Sequence, residues 1–186
     1  MAELDAIGIV ELSSIAIGFK VQDVMLKAAR VELLVARTIC SGKYLVVVAG
    51  DVASATAAVD AAVQEAEGFL IESRVISRVH PSVFPAIAGN VELKAGQEGA
   101  LGVVETFSAT SIIDCADAAA KAAKVVLLRV HLAMAIGGKG FVLVSGDIAN
   151  VRAAVEASSK LAAAEGILVA SSIIARPSPE LFREWI

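Results

Sequence analysis

The chain states one pattern twice. Ala6-Ile7-Gly8-Ile9-Val10-Glu11 returns as Ala100-Leu101-Gly102-Val103-Val104-Glu105, and the register runs on through Asp23 with Asp117, Lys27-Ala28-Ala29 with Lys121-Ala122-Ala123, and Leu33-Leu34 with Leu127-Leu128. A two-residue slip then aligns Gly42-Lys43 with Gly138-Lys139 and Gly50-Asp51 with Gly146-Asp147. A second slip aligns Ala66-Glu67-Gly68 with Ala164-Glu165-Gly166, Arg78 with Arg176, Pro81 with Pro179 and Phe84 with Phe182. A duplication of this kind restricts the fold to two copies of one small unit. It also supplies an internal control: residues alike in both halves serve the shared fold, and residues that differ are free to serve function. Cys40, which faces Ile136 across the repeat, is the difference with chemical content.

Units of about 90 residues carry thin cores, yet the sequence is 57% apolar with mean hydropathy +0.75, above the roughly 45–50% usual for a soluble domain. A bilayer would need about 20 predominantly apolar residues in a run, and Lys43, Asp51, Asp60 and Glu65 interrupt the first half as Arg129, Lys139, Asp147 and Arg152 interrupt the second. Association between copies is the expectation instead, and no membrane partner is expected. A net charge of −4 and 4% aromatic residues offer neither a basic stripe nor a stacking platform, so nucleic acid is not an expected partner. Met1-Ala2-Glu3-Leu4-Asp5 lacks the basic and apolar segments of a secretion signal, which points to the cytoplasm. There Cys40 and Cys115, at unmatched positions, read as free thiols or ligands rather than a disulfide.

The hydrophobic period switches in the same order in each half. The first half reads as a strand at 6–12, an amphipathic helix through Val21, Val24, Met25, Ala28 and Ala29, and strands at 31–39 and 44–49 around a Cys40-Ser41-Gly42-Lys43 loop. A helix at about 52–67 closed by Gly68, a strand at 69–76 and a turn or short helix after Pro81 complete it. The second half predicts a strand at 101–106, a helix near 110–123, strands at 125–135 and 141–145, a helix at 148–165 and a strand at 167–174. The Gly- and polar-rich stretch 88–99 reads as a linker between domains 4–88 and 99–186. Each domain is expected to be an α+β, ferredoxin-like sandwich: a four-stranded sheet with two main helices over one face.

The Gly-Ile-Val-Glu and Gly-Val-Val-Glu openings, Met25-Leu26-Lys27-Ala28-Ala29, Gly50-Asp51-Val52, Ile136-Gly137-Gly138-Lys139-Gly140 and Arg176-Pro177 resemble the signatures of the bacterial microcompartment shell domain, in order and over essentially the whole chain. Each string is weak alone; together, twice over, they are specific. Two fused copies are similar to the tandem class, whose members form hexagonal tiles from three chains. Within it, Arg37-Thr38-Ile39-Cys40-Ser41-Gly42-Lys43 resembles the pore segment of the iron–sulfur-binding shell proteins of propanediol-utilising microcompartments, with Ser41 where that pattern has proline. The resemblance implies a non-enzymatic homotrimer tiled beside neighbouring shell proteins, with an encapsulated redox enzyme as a further partner. It implies a pore lined by Ser41, Gly42, Ile136, Gly137 and Gly138, and an iron–sulfur cluster of the [4Fe-4S] type shared by three chains through Cys40. It makes Lys27, Lys121, Arg78 and Arg176 tile-edge contacts.

Other readings stand beside these. Cys40 alone is compatible with a small buried residue near a strand end or with a mononuclear metal held by three thiolates. A cluster-free pore passing small polar solutes is a second reading of the loops, and a small-molecule-binding regulatory trimer is an alternative of another class. Cys115 sits among Ile112, Ile113 and Ala118 as a core residue. His80 and His131 have no second histidine nearby and read as structural. Glu11 and Glu105 are equivalent, so they belong to the shared fold, where they are expected to satisfy backbone donors rather than catalyse. Ser13, Ser14 and Ser41 lack partners for nucleophilic chemistry.

Overall fold

The computed structural model describes residues 4–92 and 99–185, so the middle of the linker, 93–98, lies outside the described residues. The first half folds as β1 (Ala6–Leu12), α1 (Ile15–Ala28), β2 (Glu32–Ile39), β3 (Lys43–Gly50), α2 (Val52–Glu65), β4 (Leu70–Ser77) and the short helix α3 (Val83–Ala88). The second repeats it as β5 (Ala100–Thr106), α4 (Ser111–Ala122), β6 (Val126–Leu132), β7 (Gly140–Gly146), α5 (Ile148–Ala164), β8 (Leu168–Ile174) and α6 (Pro179–Trp185). The sheets order their strands β2-β3-β1-β4 and β6-β7-β5-β8, antiparallel throughout. This is the expected ferredoxin-like α+β sandwich, twice.

Alternation along β1 sorts its residues between two faces. Val10 and Leu12 enter a core with Val21 and Met25 of α1, Val46 and Val48 of β3, and Ala58, Val59 and Ala62 of α2. Gly8 shares that face because α2 lies directly over it: a methyl there would stand 2.9 Å from Val59 Cγ2. Gly102 repeats the device more tightly, with Val155 Cγ2 at 2.6 Å and Val144 Cγ2 at 2.8 Å. Starts and stops follow local chemistry. Ser14 accepts the Ile17 N–H at the start of α1, and Asp51 caps α2 through Ser54 N–H at 2.7 Å. That contact holds the Asp51 carboxyl below its ordinary pKa.

Packing divides the described residues differently from the sequence. One compact unit runs to Val79 and includes 134–137; the other takes 80–133 and continues from Gly138. Residues 80–88, assigned by the repeat to the first domain, therefore pack in the second unit. There α3 lies on β6 and α4, and the His80 N–H donates to Asp117 Oδ1 on α4 at 2.8 Å.

Candidate functional site

Ile39 and Lys43 form the last register pair of the β2–β3 hairpin, so the chain must reverse within three residues. It does so as one 3₁₀ turn, Cys40–Gly42, in which Ser41 (φ 67°, ψ 24°) and Gly42 (φ 71°) both take left-handed backbone. That region is uncommon for a residue with a side chain, and it is closed to proline, whose ring fixes φ near −65°. Serine in place of proline is therefore tied to the shape of this turn. Cys40 is half-buried at the turn and forms no disulfide; Ser41 and Gly42 are exposed.

The matching segment between β6 and β7 is longer and more twisted. Ala133 (φ 52°), Ala135 (φ 63°), Gly137 (φ 68°) and Gly138 (φ 85°) are left-handed, and the Ala133 N–H closes the loop on the Lys139 carbonyl at 3.0 Å. A methyl at Gly42, Gly137 or Gly138 would touch nothing, so these glycines answer to backbone conformation, not crowding within the chain. Ile136 is half-buried and Gly137 exposed. The structure thus puts Cys40, Ser41 and Gly42 on one hairpin turn and Ile136, Gly137 and Gly138 on its repeat counterpart.

Both loops are tied down by the same ion pair. Lys43 Nζ donates to Glu11 Oε1 at 2.8 Å, and Lys139 Nζ to Glu105 Oε1 at 2.8 Å. Glu11 and Glu105 thus meet lysine ammonium groups, correcting the expectation of backbone donors. Lys43 begins β3 and Lys139 directly precedes β7, so each pair fixes a loop end to a central strand of its sheet, β1 or β5. Sequence reasoning missed this pairing, although both the glutamate and the lysine recur in register. Glu11 is almost wholly buried; Glu105 is half-buried, with Phe107 beneath Lys139 at 6.0 Å.

The four candidate edge residues belong to other elements than these turns. Lys27 and Lys121 stand in the last turn of α1 and α4, each paired with the aspartate one turn earlier, Asp23 or Asp117, at 2.5 Å. Arg78 (φ 51°) and Arg176 are exposed just after β4 and β8. Cys115 is fully buried, as expected. His80 Nδ1 meets Ser82 Oγ at 2.8 Å and His131 stacks on Phe141, both in structural settings.

Among the described residues of one chain, no group of three or more His, Cys, Asp or Glu side chains is placed to hold a metal. No described helix is long and apolar enough to cross a membrane.

Comparison with known proteins agrees with this architecture. The BMC domain family matches residues 6–79 and 100–177. Bacterial microcompartment shell protein PduT of Citrobacter freundii is 44% identical over 97% of each chain. Carboxysome assembly protein CcmO of Synechococcus elongatus is 30% identical over 95% of this chain and 67% of that one. The crystal structure of a microcompartments protein from Desulfitobacterium hafniense DCB superposes with a TM-score of 0.93 at 41% identity, covering 97% of this chain and 99% of that one. Two ferredoxin-like units, each with its hairpin loop tied by a Glu–Lys pair, and two family matches in tandem make this chain a member of the BMC domain family: a two-domain, non-enzymatic shell protein of a bacterial microcompartment.

Proposed function

We propose that three copies close into a pseudohexameric tile, in a shell of the propanediol-utilising kind, whose central pore is lined by 40–42 and 136–138. Cys40 of each copy holds a shared [4Fe-4S] cluster there. The observation that carries this reading is the half-buried thiol at the Cys40 turn, present once per chain because its repeat slot holds Ile136. Threefold symmetry turns one thiol per chain into a three-thiolate site, whereas sixfold equivalence would have given two per chain. The Lys43–Glu11 pair fixes the turn's far end to β1. The 44% identity to a protein named as a shell component supports placement in a shell.

A cluster held by three thiolates keeps one iron for water or an exogenous ligand, which suits electron transfer or donation of the cluster across the shell, as to an encapsulated redox enzyme. A second reading, a cluster-free pore for small polar solutes, draws on the left-handed Gly137–Gly138 backbone. Purification without oxygen separates the two. Brown trimers that lose their visible absorption on Cys40→Ser support the cluster; colourless, iron-free trimers that take up no iron and sulfide support the open pore.

A further inference from the structure

A groove of about 440 Å³ runs between α5 and the edge strand β8 and shares no residue with the pore turns. On the helix, Arg152, Val155, Glu156, Ser159 and Lys160 follow the spacing of a single face, so they rise along one wall. Leu168 and Ile173 of β8 stand opposite. Val155 is buried and Leu168 and Ile173 are half-buried, which makes the floor apolar; Arg152, Glu156 and Lys160 are exposed and form the rim.

The repeat separates what belongs to the fold from what was added to this groove. The floor recurs: Val155, Leu168 and Ile173 correspond to Val59, Leu70 and Val75. The rim does not. Arg152, Glu156 and Lys160 stand where the first repeat has Thr56, Asp60 and Gln64, so the formal charge of the stripe goes from −1, a single aspartate, to +1, two cations and one glutamate. Ser159 stands where the first repeat has Val63.

These added groups have no partner within the chain. Glu156 lies one turn from each cation, yet among the described residues the side chains of Arg152, Glu156 and Lys160 make no ion pair or hydrogen bond. The Ser159 hydroxyl oxygen is buried with no hydrogen-bond partner either. A helical serine usually bonds back to its own helix, and a buried hydroxyl that meets nothing is uncommon. Here it leaves a donor ready beside an apolar floor.

We propose that this groove binds a small organic anion, a carboxylate or phosphate head on a short aliphatic tail. The tail lies on Val155, Leu168 and Ile173, and the head takes the Ser159 hydroxyl and a rim cation. Small-molecule sites combine apolar lining with a few placed polar groups in this way. An amine would meet two like charges, and a plain hydrocarbon would leave the Ser159 donor unpaired. Neither the cluster nor the trimer enters into this site, which each chain carries complete.

Methyl NMR read at Val155, Leu168 and Ile173 tests it in the full-length protein, with hexanoate, hexyl phosphate, acetate and hexylamine as probes. At least one of the two tailed anions should shift these signals saturably, and their ranking distinguishes carboxylate from phosphate. Acetate, which lacks the tail, and hexylamine, which carries the opposite charge, should not. Arg152→Thr combined with Lys160→Gln, the residues of the first repeat, should weaken binding about tenfold or more by removing charge-assisted contacts. Ser159→Ala should weaken it too. Glu156→Gln should tighten it about two- to fivefold, the scale of one exposed charge contact. Circular dichroism checks that every variant remains folded. No saturable shift with either tailed anion, hexylamine bound as tightly as the anions, or an affinity unchanged in the double variant or in Ser159→Ala overturns the inference.

Discussion

Replacing Lys43 by methionine should destabilise the protein far more than replacing Lys139, although the two lysines occupy equivalent positions and make the same 2.8 Å contact. The difference lies in the carboxylate left behind. Glu11 has a side chain 6% exposed, so without Lys43 its charge stays in the interior; Glu105, at 32%, is rehydrated in place. Breaking a buried pair by removing one partner costs about 3–5 kcal/mol. Because Lys43 is itself 32% exposed, water already screens part of the attraction, and the cost should fall to about 2–3 kcal/mol. Lys139→Met should cost about 1 kcal/mol or less, in the range of solvent-exposed pairs. Adding Glu11→Leu to Lys43→Met should recover most of the loss, since an apolar pair of similar volume needs no charge compensation. Urea unfolding at one fixed protein concentration measures the three variants beside the parent, the fixed concentration being needed for an assembling protein. Equal losses for the two lysine variants, or a double variant no better than Lys43→Met, would refute burial as the cause.

Gly102→Ala should cost about 1–3 kcal/mol by overpacking, because the new methyl meets Val155 Cγ2 at 2.6 Å on a helix already seated on the strand; thermal denaturation would show it, and an unchanged midpoint would contradict the packing described. The depressed carboxyl of Asp51 adds stability that is present above the unfolded-state pKa and lost as pH falls through the lower folded value. Asp51→Asn keeps a cap and should remove that part of the acid dependence in urea melts across the carboxylate range. Lys27→Ala combined with Lys121→Ala should leave trimers intact and abolish flat sheets in electron micrographs; loss of the trimer would place these lysines inside it instead of at its rim.

Much of this structure was legible beforehand, for identifiable reasons. Period switches and the Gly50-Asp51 and Gly146-Asp147 stops located every strand and main helix, because those signals act within a few residues. Helix α3 was assigned by the repeat to the first domain, but it packs in the second unit, where Asp117 waits for the His80 N–H; such a choice is made by tertiary contact. The Glu11–Lys43 pair joins residues on different strands, and its signal was the recurrence of both partners in register. Left-handed Ala133 and Ala135 carry no sequence mark of their conformation. The unequal burial of Asp23 and Asp117, identical residues in matched helices, depends on what covers them and is invisible to any local pattern.

The central claim concerns sulfur from separate copies meeting at one point, and metal stoichiometry tests it most directly. Iron and acid-labile sulfide measured in trimers prepared without oxygen should come to roughly four of each per three chains, and both should vanish in Cys40→Ser while the trimer persists. Iron retained by Cys40→Ser trimers, or parent trimers that take up neither element on anaerobic reconstitution, would contradict it.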